Sequence, residues 1–251
     1  MKKYLLTLVL ACIPMFATAS GSGVALDHMK PDLLDNASLQ RGAALFTNYC
    51  MGCHSMKYAR YERVATDLDI PASLYEENLI FTGAKIGELM QIGMSAQEAK
   101  GWFGAPPPDL SLEARLRGTD WLYTYLRAFY KDDKRPYGVN NAVFPDVGMP
   151  HIFADLQGVC AHKPHFGEPV SFDPLSGIEH SSNGCQEFSA KGSMTPAQYD
   201  AAAYDLVNFL AYMGEPSKLD SHRIGTYVLM FLAFMFVFVY LLNREYWKDI
   251  H

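Results

Sequence analysis

Two long apolar stretches and three amphipathic ones set the pattern of this chain. Near the N-terminus Lys2 and Lys3 precede an apolar run over residues 4–16, and Ala17-Thr18-Ala19 follows with small residues at alternate positions. Basic, apolar and small residues in that order predict an export signal over residues 1–19, cleaved after Ala19. A lipoprotein signal would need Cys12 to begin the mature chain, and Leu10 fits that pattern poorly. The second stretch, residues 224–242, is 19 residues without a charge. At about 1.5 Å per residue it spans roughly 28 Å, enough to cross a hydrocarbon core.

The amphipathic stretches lie between these two. Leu39, Ala43, Leu45 and Phe46 recur at helical spacing, predicting a helix over 38–51 with Ser38 as N-cap and a turn at Gly52. Trp121, Leu122, Tyr125, Leu126 and Phe129 predict an aromatic-faced helix over 119–130, capped by Thr119. Thr195, Pro196 and Gln198 are a strong helix start, and Gly214 with Pro216 ends that helix after Met213.

The rest of the pattern is less regular. Residues 56–71 are polar without a clean period and read as surface loop with helical turns. Residues 83–103 read as two short helices, the second opened by a Ser95/Glu98 capping box. Pro106, Pro107 and Pro108 impose an extended run. Residues 137–150 place Val143, Phe144, Val147 and Met149 in irregular backbone rich in Gly, Asn and Pro, so their apolar side chains need a surface to bury against. Residues 160–185 form a polar excursion containing His162, His165 and His180.

Charge and cysteine usage narrow the function. The formal net charge is −6 over 251 residues, and loss of Lys2 and Lys3 with the leader makes it more negative, which argues against nucleic acid as a partner. An acidic surface can instead steer a basic soluble protein. The leader places the mature chain outside the cytoplasm. Lys218 and Arg223 before the second apolar stretch nearly balance Arg244 and Lys248 after it, so orientation rests on the leader. Four cysteines remain after cleavage, and an oxidising compartment allows Cys160 and Cys185 to pair.

Cys50-Met51-Gly52-Cys53-His54 carries the chemistry. Cys-x-x-Cys-His is the attachment signature of a c-type haem: two thiols one helical turn apart add to porphyrin vinyl groups, and the next imidazole ligates the iron. A redox dithiol would need a thioredoxin-like βαβ setting and a zinc site further close ligands, and neither surrounds this motif. A low-spin carrier also needs a second axial ligand, usually a thioether. Of 12 methionines, Met51 and Met56 lie too near His54 to reach the other haem face, and Met230 and Met235 sit in the apolar span. The contest is between Met194, just ahead of the last amphipathic helix and favoured by spacing, and Met149, between Gly148 and Pro150. Mechanics alone leaves them near even, with His151 as the rival among histidines.

Taken together, Cys50 to His54, Pro107-Pro108-Asp109-Leu110-Ser111, Arg115 and Arg117, Phe144 to Pro150 and the C-terminal anchor resemble the cytochrome c1 family, the haem subunit of the bacterial cytochrome bc1 complex. The resemblance implies a mainly α fold: a class I c-type cytochrome core with long loop insertions plus one C-terminal transmembrane helix. It divides the chain into a signal peptide (1–19), a periplasmic cytochrome c domain (20–220), a membrane anchor (221–243) and a short cytoplasmic tail (244–251). It implies one covalent haem c on Cys50 and Cys53, axial ligands His54 and Met149, and walls from Pro107 and Pro108, with Arg117 near a propionate and Arg115 able to exchange roles with it. Cys160 and Cys185 match a disulfide found in part of the family.

The implied role is one-electron transfer in respiration, from a Rieske iron–sulfur protein to a soluble cytochrome c, beside cytochrome b in a dimeric complex of the bacterial inner membrane. The chain is then a redox subunit of quinol–cytochrome c reductase without catalytic residues of its own. Glu62, Asp67, Asp69, Glu76 and Glu77 are candidates for steering a basic cytochrome c. The alternatives are a membrane-anchored c-type cytochrome serving a terminal oxidase, and a haem enzyme or gas sensor with an open distal face.

Overall fold

The computed structural model describes residues 24–167 and 184–248, with the backbone at 171–172 and 179–180. The predicted leader, the interior of the 160–185 excursion and the last three residues lie outside the described residues.

Helix α1 spans Asn36–Leu45. Its N-cap is Asp35, whose carboxylate accepts from the Ser38 amide, and Ser38 itself is buried inside the first turn rather than capping it. The helix then widens into a π-helical turn, Phe46–Cys50, where the Met51 amide donates to Phe46 O at 2.9 Å. A π turn adds one residue to the ring and re-aims the chain beyond it, a device common at functional sites. The Cys-x-x-Cys-His motif starts at the last residue of this turn, Cys50.

A short strand β1, Met56–Arg60, leads into α2, Tyr61–Asp67, and α3, Ala72–Leu79. Strand β2, Leu89–Met90, pairs antiparallel with β1, where a helix was expected. Helix α4, Ala96–Phe103, opens with the predicted capping box, the Ser95 hydroxyl accepting from the Glu98 amide. The proline run comes next, then α5, Glu113–Arg117, and α6, Thr119–Arg127. Thr119 is the first helical residue instead of the cap, and its hydroxyl donates to Met29 O at 3.1 Å.

Phe129 and Tyr130, expected as the end of that helix, instead open a small sheet. Strands β3 (Phe129–Lys131) and β4 (Val139–Asn141) pair antiparallel. Helix α7, Ala154–Gln157, leads into β5, Gly158–Cys160, which runs parallel to β3. Strands β6 (Ser171–Phe172) and β7 (Glu179–His180) pair as a separate ribbon, and β8 (Phe188–Lys191) completes the order β4-β3-β5-β8. Gly158 has φ +89°, and a Cβ there would lie 2.4 Å from Ala190 O, so only glycine allows β5 and β8 to meet. Cys160, at the end of β5, and Cys185, ahead of β8, form a disulfide with Cα atoms 5.5 Å apart.

Helix α8, Pro196–Gly214, starts with the Thr195/Gln198 capping box and crosses α1. Gly42 makes the crossing possible, since a Cβ there would sit 2.1 Å from Asp205 O and 2.6 Å from Phe209 Cβ. Beside it Arg41 donates through two nitrogens to Asp205, at 2.6 and 2.9 Å, and the Asn208 amide donates to Ser38 Oγ at 3.1 Å. Leu39, Ala43, Phe46, Leu206, Phe209 and Leu210 are the buried core of this pair. Helix α9, Lys218–Tyr246, leaves the domain with none of its residues buried and is long and apolar enough to cross a membrane. The architecture is thus mainly α, with crossed first and last domain helices, long inserted loops and one apolar C-terminal helix.

Candidate functional site

A cavity of about 380 Å³ opens between the π turn, the proline run, α6 and the loop before α7. Cys50, Cys53, His54, Pro107, Pro108, Arg117 and Met149 all line it, so residues up to 99 positions apart in the sequence meet in one place. Leu122, Leu126, Val147, Leu206 and Leu210 make its walls apolar.

The motif is oriented by its own backbone and by the proline run. Cys53 and His54 amides both donate to Cys50 O, at 3.0 and 2.9 Å, closing the turn that holds the two thiols. Both thiols are free; Cys50 is buried and Cys53 exposed. Burial pushes the Cys50 thiol up to about 12, so it is held protonated. His54 Nδ1 lies 2.7 Å from Pro108 O. A carbonyl can only accept, so Nδ1 carries the proton and the Nε2 lone pair is left for a metal. Burial also lowers the imidazole's pKa, against smaller opposing effects of Pro108, Glu113 and Asp109.

Pro108 is in turn fastened alongside the motif. Leu110 N donates to Ser55 O at 2.9 Å, the Asp109 carboxylate accepts from Lys57 N at 2.8 Å, and Ser111 Oγ accepts from Tyr58 N. Three prolines without amide protons leave their carbonyls free of internal partners, and the site uses one of them.

Met149 stands in a loop without regular structure that is nevertheless closely tied down. Asn141 Oδ1 accepts from the amides of Val143 and Phe144, and its amide group donates to Tyr125 O at 2.8 Å. Asn140 Oδ1 accepts from Asp146 N, while Arg135 donates to Asp146 and to Val147 O. Asp146 itself has φ +62°, a left-handed conformation that Asp tolerates better than most residues. The Tyr125 hydroxyl donates to Met149 Sδ at 3.3 Å.

The competing ligands are placed elsewhere. Met194 packs against the main core, its amide donating to Leu156 O, and does not line the cavity. His151 is stacked on Phe129 at 4.8 Å, and its Nε2 lies 2.9 Å from Gly158 O, where it can only donate. Arg117 lines the cavity with its guanidinium over Trp121 at 4.7 Å and Glu113 at 3.5 Å. Arg115 is a correction to the expectation that the two arginines could exchange roles. Two residues apart on α5 they point to different faces, and Arg115 lies against Gly214 and a separate surface depression with Lys57 and Tyr58.

Sequence reasoning missed Tyr125 as more than core, and missed the Asn140, Asn141 and Arg135 network. The run of Asn and Gly before Phe144 was its available signal. The donor set, two thiols, an imidazole with one nitrogen committed, and a thioether in an apolar cleft, fits a covalently held haem.

Comparison with known proteins agrees in extent. Residues 30–88 and 93–250 match the Cytochrome C1 family model. Cytochrome c1 of Allochromatium vinosum is 49% identical over 257 residues, covering 100% of both chains. A Nitrosomonas europaea protein named ammonia monooxygenase gamma subunit is 42% identical over 251 residues, covering 100% of this chain and 99% of its own. Cytochrome c1 of Rhodobacter capsulatus is 23% identical across 98% of this chain and 97% of its own.

Proposed function

The chain belongs to the cytochrome c1 family, and from that premise we propose that it is the haem-carrying electron-transfer subunit of a cytochrome bc1 complex, held at the membrane by α9. The observation that carries this reading is the meeting of Cys50, Cys53, His54 and Met149 in one apolar cavity. Haem c, when bound, supplies a reversible one-electron couple.

The chain's residues supply everything else. Cys50 and Cys53 would hold the porphyrin by thioether bonds, and His54 and Met149 would ligate its iron. The Pro108 carbonyl keeps His54 in the tautomer that can ligate, and Pro107 and Pro108 form a stiff wall. Arg117 lies at the cavity edge, where a guanidinium neutralises a propionate. Leu122, Leu126, Leu206 and Leu210 keep water from the centre, and a soft thioether favours the reduced iron, which raises the potential. Nothing in this set performs bond chemistry on a substrate.

The donor is a Rieske iron–sulfur protein, the acceptor a soluble cytochrome c, and the haem domain stands in the periplasm beside cytochrome b in a dimeric complex. Glu62, Glu76 and Glu77 are exposed acidic positions suited to steering a basic cytochrome c. Asp67 and Asp69 are partly committed, to Arg63 and Tyr212 and to Asn36 respectively. Replacing Glu76 and Glu77 by Gln should flatten the salt dependence of cytochrome c reduction; an unchanged slope would remove them from that role.

Purification of the native protein from membranes tests the assignment. Cytochrome b and a Rieske subunit should accompany it. Co-purification with a terminal oxidase, or with a monooxygenase as the Nitrosomonas relative's name suggests for that protein, would replace the assignment. Acid–acetone extraction should leave haem on the wild-type chain and release it from a Cys50→Ala/Cys53→Ala variant.

A further inference from the structure

Tyr125 sits on the cavity-facing side of α6, stacked on Trp121 with ring centroids 4.9 Å apart and packed edge-on against Phe129 at 5.4 Å. Those two contacts fix the ring, and its hydroxyl then reaches Met149 Sδ at 3.3 Å. The residue is 9% exposed, so water does not compete freely for that hydroxyl. The other end of the contact is fixed as well. Asn141, which orders the start of the Met149 loop, donates to the backbone carbonyl of the same Tyr125. Helix α6 therefore grips the loop twice through one residue, once by its carbonyl and once by its hydroxyl.

We propose that Tyr125 is a positioning residue for the Met149 ligand, its O–H···Sδ hydrogen bond selecting which sulfur lone pair faces the iron and raising the reduction potential. The inference rests on Met149 being the axial ligand. A thioether sulfur has two lone pairs. With one accepting a proton from Tyr125, only the other is free to ligate, which fixes the sulfur's handedness at the metal. The hydrogen bond also draws electron density from the sulfur. A weaker donor stabilises the more electron-poor oxidised iron less than the reduced iron, so the couple shifts upward. Phe at this position would keep the stack on Trp121 and lose only the donor.

The test uses the full-length holoprotein in membranes or detergent and reads the midpoint potential and the red-edge sulfur-to-iron charge-transfer band. Tyr125→Phe should lower the reduction equilibrium constant by about threefold to tenfold, tenfold being about 59 mV for a one-electron couple, and should shift the band. Replacing Tyr125 by 3-fluorotyrosine, a stronger donor of nearly the same shape, should move the potential the opposite way. A merely structural role would not give shifts of opposite sign. If Tyr125→Phe yields no holoprotein, the 3-fluorotyrosine arm decides alone. Unchanged potential and band in the Tyr125 variants, with the band lost in Met149→Leu, would overturn this role and leave the ligand assignment standing. A band that survives in Met149→Leu would overturn the ligand assignment and this inference with it.

Discussion

Gly42 occupies a place that no side chain fits, and Asp27 and Asn141 each hold several partners at once. A methyl group at Gly42 would collide with the backbone of Asp205, which cannot swing aside as a side-chain tip would. Gly42→Ala should therefore destabilise the domain by about 3 kcal/mol in chemical denaturation, at the upper end of overpacking costs. Asp27 pairs with the buried Arg127 at 2.6 Å, and Asp200 shares that guanidinium. Asp27→Ala leaves a charge short of a partner in a site only 6% exposed, and should cost about 3 kcal/mol in the same measurement.

The residues of the motif were legible because covalent haem attachment needs contiguous Cys-x-x-Cys-His. Their partners were not, because the Pro108 carbonyl leaves no side-chain signature and Met149 differs from Met194 only by where the chain travels. Helix phase, once α5 is in place, separates Arg117 from Arg115.

At the scale of elements, the long helices could be read from spacing and caps, since α4 and α8 carry complete capping boxes and α1, α6 and α8 a clear apolar face. The strands could not. Runs of two to five residues such as β2 and β5 are too short to show a period, and they exist because neighbours supply their hydrogen bonds. The loop carrying Met149 obeys the same rule, being ordered by Asn140, Asn141 and Arg135 rather than by a helix or strand. Asn141→Ala removes three hydrogen bonds from it, two of them buried. The expected result is a weakened sulfur-to-iron band while far-ultraviolet circular dichroism stays close to wild type. The Cys160–Cys185 bridge closes a separation of 25 residues. Its replacement by a Ser pair should lower stability by about 3 kcal/mol, most visibly as faster hydrogen exchange in β5 and β8.

For the whole molecule, the domain and α9 are held together by the chain connection between Gly214 and Lys218 and by little packing, since no residue of α9 is buried. Truncation after Glu215 should release a domain that stays in solution without detergent and keeps its spectrum and potential. A truncated chain that precipitates or loses its spectrum would show that α9 also supports the fold. The haem itself belongs to the core in this picture. Leu122, Leu126, Leu206 and Leu210 belong to the buried core and also line the cavity, so the chain without haem should unfold at markedly lower denaturant and bind hydrophobic dyes.

The proposed function depends on the one cavity that His54 and Met149 both line holding a haem between them. The midpoint potential of full-length Met149→His tests that arrangement most directly, because a nitrogen ligand in place of sulfur favours oxidised iron. The expected result is a drop amounting to a sizeable part of the ~0.8 V range that axial ligands span, with loss of the sulfur-to-iron band. An unchanged potential with the band retained would contradict it.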